Sequence, residues 1–464
     1  MSIISKILNY RLNRSVFKFR RPDLVDERRG RTLMVWNAQA YWNVIDNELK
    51  EFVGAFDGRR TLLEIVESAP AWAAQYDAIV GCVKALAGKG VLYSSDGAVK
   101  NAAPASAIEN VTVNVTGRCN LKCTHCYYNE KLNRGGHEIG GADVARFLRA
   151  VRKHCAEKPA LFLLGGEPLM ARDRLEQILA EAAVSGFRTS VSTNGTLVDD
   201  IFIDLALKYK FSVQVSLDGP DAETNDQVRG SGAFARAVAG VRRLADKGVE
   251  TILCMTCHGG NIERIEDYYK LALGLNAAEA RVIPLKMIGN AMHKNMTPAG
   301  VSAIVEKCAE LLVRRPEYRR LSRTDALSIM LETCRYSQSR ASCGSGTQTV
   351  LLDADGSVYP CLNTNFDFLR IGGVGDADFS FDREWAGSKP LNEFRQDISS
   401  DCEASECRGC GVWNWCLGGC HGETYIMKES FAARPYNCED LKRAIVNCFW
   451  LISEHPCLTA TEKD

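Results

Sequence analysis

Three cysteines lie close together in the stretch CNLKCTHC at residues 119–126, and their spacing suits metal chemistry. Cys119, Cys123 and Cys126 are not followed by a fourth cysteine in the same stretch. Thiolates are the usual ligands of iron–sulfur clusters. Three thiolates would leave one iron of a [4Fe–4S] cluster with an open position, which is what a catalytic metal needs. A zinc site completed by His125 is the alternative, although adjacent His125 and Cys126 would reach a single ion awkwardly.

Cysteines are frequent elsewhere too, because the chain has 19 of them in 464 residues. The opening residues, MSIISKILNYRLNRSVFKFRR, lack the apolar core and cleavage site of a secretory signal peptide. No run of 18 apolar residues predicts a membrane span. We therefore expect a cytoplasmic protein, in which clustered cysteines indicate metal or redox sites rather than disulfides. The formal net charge of zero argues against a nucleic acid or an acidic membrane as a partner.

The residues on both sides of CNLKCTHC predict the sheet that would position it. Between residues 111 and 300, short apolar runs alternate with amphipathic helical stretches. Such βα units predict a parallel sheet with right-handed crossovers, closed or partly closed like a barrel. Active sites of these sheets lie at the carboxyl ends of the strands, and CNLKCTHC directly follows the first strand. The six predicted strands are residues 111–115, 160–164, 188–192, 211–216, 250–256 and 281–287.

Short motifs of small and polar residues follow the later strands. GGEP (165–168) comes after the second strand, STNG (192–195) after the third and SLDG (216–219) after the fourth, with Arg229 further on. Glycine allows close backbone approach, and the planar guanidinium of arginine suits a carboxylate. Each motif alone has a plain structural explanation, since Asp218 could simply cap a helix. Their order at successive strand ends favours a shared site.

With Tyr127 after the third cysteine, the pattern C-x3-C-x2-C resembles the signature of the radical S-adenosylmethionine (AdoMet) superfamily. The resemblance implies that the amino and carboxylate groups of AdoMet bind the open iron. One electron would then cleave AdoMet to methionine and a 5′-deoxyadenosyl radical, which abstracts a hydrogen atom from the substrate. Residues 285–291, LKMIGNA, would form an adenine-side wall or simply a core strand. The resemblance places these residues at AdoMet: Gly165, Gly166, Glu167, Ser192, Asn194, Ser216, Asp218 and Arg229.

Seven cysteines near the C-terminal end resemble the pattern of the SPASM domain, which carries two auxiliary [4Fe–4S] clusters. The resemblance assigns the outer cluster to Cys407, Cys410, Cys416 and Cys438. It assigns the inner cluster to Cys343, Cys361 and Cys420. Cys334 is the predicted fourth inner ligand and Cys402 is its rival. An open position is the third option, and it would let a substrate thiolate bind iron. The expected cofactors are therefore three [4Fe–4S] clusters and AdoMet.

Other cysteines have simpler explanations. Cys254 and Cys257 share a predicted strand and would face opposite sides of it, so packing is favoured over a metal site. Cys257 and His258, at the strand end, are retained as substrate-side candidates. No catalytic acid or base is assigned. The cysteines in helical patterns, which predict small core residues, are Cys82, Cys155, Cys308 and Cys448.

The first 93 residues predict a small domain of strands and helices. Residues 33–46 have the composition of two strands, residues 47–56 have helical spacing, and Thr61 with Glu64 forms a capping-box pattern. The arrangement predicts a winged-helix-like domain and resembles the leader-peptide-binding chaperone domain of pyrroloquinoline-quinone biosynthesis. Such modules bind an extended peptide as an added strand. A DNA-binding winged helix is the alternative, which the neutral charge disfavours.

We therefore expect an α/β protein, a partial (β/α)6 barrel with an N-terminal winged-helix-like α+β domain and a C-terminal cysteine-rich iron–sulfur domain. Its predicted segments are a leader-binding domain at 1–93, a linker at 94–110, the barrel at 111–300, a helical bridge at 301–333 and the SPASM domain at 334–464.

The resemblance implies an enzyme that modifies a ribosomally made peptide or a small protein subunit. The favoured reaction is a cysteine thioether cross-link, and the alternatives are a carbon–carbon cross-link or a formylglycine-type oxidation. An iron–sulfur redox-sensing regulator is the alternative outside the enzymes. The expected partners are the precursor peptide, bound through its leader, and a reductant such as flavodoxin or ferredoxin.

Overall fold

A computed structural model describes residues 9–93, 107–335 and 342–458. Most of the predicted linker, residues 94–106, lies outside the described residues. In the described part of the chain, no helix combines the length and the apolar character needed to cross a bilayer.

The N-terminal segment folds as two small antiparallel sheets with short helices. One sheet has the strand order β5–β1–β6 and the other has the order β2–β3–β4. The predicted strand pair is present as β3 and β4, and the capping box forms, since Thr61 accepts from the backbone N–H of Glu64 and Glu64 accepts from that of Thr61. The strands are β1 Val16–Phe19, β2 Leu24–Arg28, β3 Arg31–Trp36, β4 Tyr41–Asp46, β5 Asp57–Thr61 and β6 Leu92–Tyr93. The helices are α1 Tyr10–Asn13, α2 Asn47–Gly54, α3 Leu62–Glu67, α4 Pro70–Ala74 and α5 Tyr76–Gly88.

The central sheet contains the six predicted parallel strands in sequential order. They are β7 Ile108–Thr116, β8 Cys155–Gly165, β9 Arg188–Thr193, β10 Ser212–Ser216, β11 Thr251–Cys257 and β12 Glu279–Pro284. The helices between them are α6 Gly141–Arg152, α7 Arg172–Val184, α8 Asp200–Tyr209, α9 Ala222–Arg229, α10 Ala233–Asp246 and α11 Ile265–Gly274. The α/β class and the parallel sheet predicted from the alternating pattern are therefore confirmed.

The sheet does not close on itself, because strands from the cysteine-rich region extend it beyond β7. β13 Thr349–Leu352 pairs in parallel with β7, with Val350 opposite Val111. β14 Ser357–Tyr359 and β15 Gly372–Gly373 continue the sheet in antiparallel orientation. The nine-stranded order is β12–β11–β10–β9–β8–β7–β13–β14–β15. The cysteine-rich region is thus built into the central sheet, which its short apolar runs did not predict.

Further helices lie in the described residues after the parallel strands, and two of them fall in the segment predicted as a helical bridge. The bridge consists of α13 Val301–Arg314 and α14 Ala326–Arg335, joined through a 3-10 turn at Pro316–Leu321. The other helices are α12 Asn290–His293, α15 Phe381–Gly387, α16 Lys389–Asp397, α17 Trp413–Cys416, α18 His421–Lys428 and α19 Cys438–Glu454. Further 3-10 turns are Asn129–Lys131, Pro168–Ala171, Ile262–Arg264, Leu362–Thr364, Asp367–Leu369 and Pro456–Leu458.

The N-terminal sheet β2–β4 rests on α19, the last helix. Arg28 donates a 2.9 Å hydrogen bond to Asn447 and its guanidinium lies 5.3 Å from the ring of Trp450. The rings of Trp42 and Phe449 are 4.8 Å apart, which adds apolar contact. The sheet β2–β4 and the helix α19 are therefore packed together through these side chains.

We predict that Arg28→Ala loosens this contact. The substitution removes the hydrogen bond to Asn447 and the cation–π contact with Trp450, each worth about 1 kcal/mol, and also the 2.9 Å hydrogen bond from Arg28 to Asp26 within β2. Amide hydrogen exchange in β2–β4 should become several-fold faster, while exchange in the central sheet stays unchanged. Arg59→Ala is the matched control, because Arg59 is exposed in β5. Equal exchange rates in β2–β4 of the Arg28→Ala protein and the parent would contradict the prediction.

Candidate functional site

The loop after β7 lines a cavity of about 440 Å³ at the carboxyl ends of the parallel strands. Cys119, Cys123 and Cys126 all lie on this cavity and all are partly buried, free thiols. The structure therefore brings the three cysteines of CNLKCTHC to the strand ends, where the sequence predicted the site. Other predicted site residues on the same cavity are Gly165, Gly166, Ser192, Asn194, Ser216 and Arg229.

The GGEP turn packs directly against the start of the cysteine loop. A Cβ atom on Gly165, which has φ of +127°, would lie 2.6 Å from the carbonyl oxygen of Thr116. A Cβ atom on Gly166 would lie 2.2 Å from the carbonyl oxygen of Arg118. The Gly166 N–H instead donates to the Thr116 carbonyl at 2.7 Å. Both positions need glycine because backbone meets backbone here.

Glu167 has a different role from the AdoMet contact that the sequence predicted for it. Its side chain is buried, and its carboxylate accepts hydrogen bonds from the Thr193 hydroxyl and the Asn194 N–H, both at 2.7 Å. It also accepts from the Leu169 N–H at 3.1 Å. Burial raises the pKa of this carboxyl group. Glu167 does not line the cavity; it joins the end of β8 to the end of β9 and leaves the cavity surface to the glycines.

The amide groups after β9 form one hydrogen-bonded chain with the cysteine loop. Asn194 donates to the side-chain oxygen of Asn120 at 2.8 Å, and its own oxygen accepts from the Thr196 N–H at 3.0 Å. Asn120 donates in turn to the Thr196 hydroxyl at 2.9 Å. Asn120 was not among the predicted site residues, although it lies inside CNLKCTHC. Its polar side chain directly after Cys119 was the available signal.

Asp218 is fully buried and contacts the side chains of Arg229 and His125. Its Oδ2 lies 2.7 Å from Arg229 Nε and 2.7 Å from His125 Nε2, and its Oδ1 accepts from the Thr256 N–H at 2.9 Å. Burial alone would raise the pKa of Asp218, but Arg229 and His125 outweigh it and hold the pKa well below its usual range. Asp218 does not line the cavity; it positions Arg229, which does.

The geometry argues against the zinc alternative and fits a cluster. Among the described residues, no three His, Cys, Asp or Glu side chains converge tightly enough for one metal ion, and His125 is occupied by Asp218. A cubane cluster binds each thiolate through a separate iron, so its ligands need not meet at one point. Burial raises the pKa of Cys126 to about 11, so thiolate formation there needs the positive charge that bound iron supplies.

A second cavity, of about 550 Å³, adjoins the first. Cys343, Cys361 and Cys420, the predicted inner group, line it together. Residues 283–286 and Asn363 line both cavities and form the wall between them. The LKMIGNA stretch therefore begins in this shared wall, just beyond the end of β12.

The four cysteines of the predicted outer group lie near one another. Burial raises the pKa of the Cys416 thiol to about 12, and the neighbouring thiols of Cys407, Cys410 and Cys438 add to the effect. Cys416 reaches the second cavity as well, so the two groups lie side by side. Cys438 begins α19, Cys416 ends α17, and Cys407 and Cys410 belong to the loop before α17.

Neither candidate for the fourth inner ligand lines the second cavity. Cys334 is buried in α14 beside Cys448, and its carbonyl oxygen accepts from Trp42 Nε1 at 2.8 Å. Cys402 is buried elsewhere in the C-terminal region. These placements favour the third option of the sequence analysis, an inner site with three thiolates.

The two cysteines of β11 do face different environments, as the alternation predicted. Cys254 lines the first cavity, whereas Cys257 is fully buried in the core and His258 is also away from the cavity. The substrate-side candidate of this strand is therefore Cys254 instead of Cys257 or His258. The strand register determines which cysteine faces the cavity. Cys254 lies opposite Ser216 of β10, and both residues line the first cavity.

A charged group in the wall was missed because its members are far apart in sequence. Lys286 Nζ lies 3.1 Å from a carboxylate oxygen of Glu423. The other oxygen of Glu423 accepts from the Met287 N–H at 2.8 Å and from the Tyr436 hydroxyl at 3.0 Å. No acid or base was assigned from the sequence. The structure places the ion pair of Lys286 and Glu423 at the wall between the two cavities.

We predict that Asp218→Asn destabilises the protein strongly, because it leaves the buried Arg229 without its counter-charge. Loss of one partner of a buried pair costs about 3–5 kcal/mol. Since the pKa of Asp218 is lower in the folded than in the unfolded protein, the stabilisation is complete above the unfolded value of about 3.9 and is lost as pH falls below it. Denaturant unfolding should show a constant deficit from pH 5 to 8 that shrinks under more acidic conditions. Asp200→Asn, at an exposed carboxylate, is the control; an equal effect of both would contradict the prediction.

Comparison with known proteins agrees with this site. Residues 113–272 match the radical SAM superfamily. An AdoMet-dependent heme synthase of Methanosarcina barkeri is 27% identical over 339 residues, covering 68% of this chain and 94% of the relative. The mycofactocin maturase MftC of Mycobacterium ulcerans is 28% identical over 321 residues, covering 67% of this chain and 82% of the relative.

Solved structures extend the likeness to most of the chain. SuiB of Streptococcus suis bound to its precursor peptide SuiA aligns with a TM-score of 0.55 at 15% identity, covering 91% of this chain and 98% of SuiB. The enzyme anSMEcpe with AdoMet and the Cp18Cys peptide aligns with a TM-score of 0.61 at 20% identity, covering 75% of this chain and 99% of the other. At such identities the likeness concerns the fold. Residues 113–272, which include the three-cysteine loop at the strand ends, thus match the radical SAM superfamily, and most of the chain shares its fold with these solved structures.

Proposed function

We propose that this chain is a radical AdoMet maturase that modifies a peptide and installs a cross-link. The observation that carries the proposal is the shared wall, residues 283–286 and Asn363, between the cavity of the three-cysteine loop and a second cysteine-lined cavity. A substrate at this wall would contact the site of radical formation and an inner cysteine group at once. Peptide ligands in the SuiB and anSMEcpe structures support a peptide as the substrate class.

The cofactors in this proposal are AdoMet and three [4Fe–4S] clusters. Cys119, Cys123 and Cys126 would hold the first cluster, and Arg229, fixed by Asp218, would bind the AdoMet carboxylate with its planar fork. The bound cluster and AdoMet supply a 5′-deoxyadenosyl radical. The residues for the two auxiliary clusters are the outer group Cys407, Cys410, Cys416 and Cys438 and the inner group Cys343, Cys361 and Cys420.

A thioether is the favoured product because the inner group has three thiolates within the cavity. An open position there suits the sulfur of a substrate cysteine, since iron in such clusters prefers thiolate ligands. Hydrogen abstraction from a nearby carbon would then place a radical beside that sulfur. A carbon–carbon cross-link and a formylglycine-type oxidation use the same cavities without a sulfur ligand.

The N-terminal sheet is the proposed leader-binding site. Within the described residues, β2 and β4 each pair only with β3, so both outer edges offer free backbone groups. An extended leader can add there as a further strand. The contacts of this sheet with α19 would keep the leader close to the cysteine-rich region. A small reductant protein such as flavodoxin or ferredoxin would supply electrons in the cytoplasm.

A second candidate function comes from the relatives that are named AdoMet-dependent heme synthases. A tetrapyrrole would occupy the second cavity in place of a peptide. The wall carries Lys286, which could bind a carboxylate of such a substrate. Product analysis after incubation with a heme precursor or with a precursor peptide separates the two candidates.

Reduced, reconstituted protein incubated with AdoMet should release 5′-deoxyadenosine, because the three-cysteine loop would hold a cluster with an open iron. The loaded protein should contain about twelve irons per chain, counting four per cluster. The triple substitution Cys119/Cys123/Cys126→Ala should retain about eight irons and release no 5′-deoxyadenosine by chromatography. Absence of cleavage in the loaded parent protein would favour the non-enzymatic redox regulator, and loss of all iron in the variant would contradict independent sites.

Leader binding predicts local protection from hydrogen exchange. The probes are candidate precursor peptides sought among small open reading frames beside the gene, each compared with the same peptide lacking its leader. Full-length precursor should protect amides of β2 or β4 by at least several-fold, since strand addition forms new backbone hydrogen bonds. Core-only peptide should leave both strands unprotected. Protection confined to the central sheet would contradict the assignment.

A further inference from the structure

Lys286 occupies an unusual place between the two cavities. It comes two residues after β12, and its side chain lines both the first cavity and the second. Among the described residues that line the second cavity, no other lysine or arginine occurs. Its ammonium is therefore the positive side-chain charge next to the inner cysteine group.

Glu423 fixes the position of this ammonium. Its carboxylate side chain is only 5% exposed, and besides Lys286 it accepts hydrogen bonds from the Met287 N–H and the Tyr436 hydroxyl. Glu423 also lies in α18, three residues after Cys420. The Lys286 side chain keeps 40% exposure, and the residue lines both cavities. The Lys286–Glu423 pair is thus attached to α18, the helix that directly follows Cys420 of the inner group.

The thiols of Cys420 and Cys361 lie within electrostatic reach of Lys286. Burial opposes its positive charge, but Cys420, Glu423 and Cys361 outweigh burial and raise the pKa of Lys286. Reduction of an iron–sulfur cluster adds one negative charge to it. A fixed cation beside the cluster stabilises the reduced form more than the oxidised form, and net charge around a cluster is one of the factors that set its potential.

We propose that Lys286 is a positioning residue that raises the reduction potential of the inner auxiliary cluster, with Glu423 holding it in place and partly offsetting its charge. The inference rests on the proposed function, because it requires a cluster on Cys343, Cys361 and Cys420. A higher potential makes the oxidised inner cluster a better electron acceptor. Cys343, Cys361 and Cys420 would hold that cluster, and its chemistry in thioether formation would be to accept one electron. The substrate thiol would lose its proton to solvent, and the electron left over when thiolate and carbon radical join in a C–S bond would need such an acceptor.

A redox titration followed by electron paramagnetic resonance tests the proposal without any substrate. The background is the Cys119/Cys123/Cys126→Ala protein, in which the first cluster contributes no signal. Lys286→Gln should lower the inner midpoint, and a tenfold change in the reduction equilibrium corresponds to about 59 mV for one electron. Lys286→Arg should leave the midpoint close to that of the background, because the charge is kept. Glu423→Gln should shift it in the opposite direction, because a negative charge is removed.

Lys389→Gln is the matched control, since Lys389 is a lysine with an 83% exposed side chain. It should leave both auxiliary midpoints unchanged. An unchanged midpoint in Lys286→Gln, with about eight irons retained, would overturn the inference and leave the proposed function intact. A lower or unchanged midpoint in Glu423→Gln would overturn the inference as well. If Lys286→Gln does not retain its clusters, the Glu423→Gln midpoint is the measurement that decides. Fewer than eight irons in the background protein would instead refute the proposed pair of auxiliary clusters.

Discussion

A carboxylate with no solvent exposure holds together three segments around the first cavity. Asp218 binds His125 of the cysteine loop, Arg229 at the end of α9 and the Thr256 N–H of β11. Its backbone carbonyl also accepts from the Asn261 side chain at 2.9 Å. Buried charge is tolerated only when it is paired and hydrogen-bonded. The loop that carries the three thiols, and the guanidinium that faces the same cavity, thus depend on one ionised group.

The pairing of β13 with β7 imposes a second constraint. Because β13 adds in parallel to the strand that precedes the cysteine loop, the cysteine-rich region is fixed at the edge of the central sheet. Asp353, which directly follows β13, accepts hydrogen bonds from Asn114, Tyr128 and Lys131. The two cavities share a wall because these contacts hold the two regions together. The position of Lys286 beside the inner cysteines follows from the same arrangement.

Local patterns predicted the parts of the fold that depend on nearby residues. The six parallel strands, the capping box at Thr61 and the helical bridge were all readable, because each arises from periodicity or from hydrogen bonds within a few residues. β13 was not recognised, since a run of four residues has too little pattern of its own and is stabilised by its partner strand. Cys257 and His258, predicted on the substrate side, do not line the cavity for a related reason. Which side chains of a strand face the cavity depends on its register with the neighbouring strands.

By itself, the sequence determined which residues could carry the chemistry: three thiols at C-x3-C-x2-C spacing, glycines in a turn and an arginine after a later strand. Residue type and spacing fix ligand chemistry, so these were visible without coordinates. Only the tertiary structure decided which groups touch the cavity. It turned Glu167 and Asp218 into buried supports, separated Cys334 from the inner thiols and brought Lys286 to Glu423 across 137 residues of sequence. Such contacts form between distant segments, and their strength depends on burial, which no local pattern encodes.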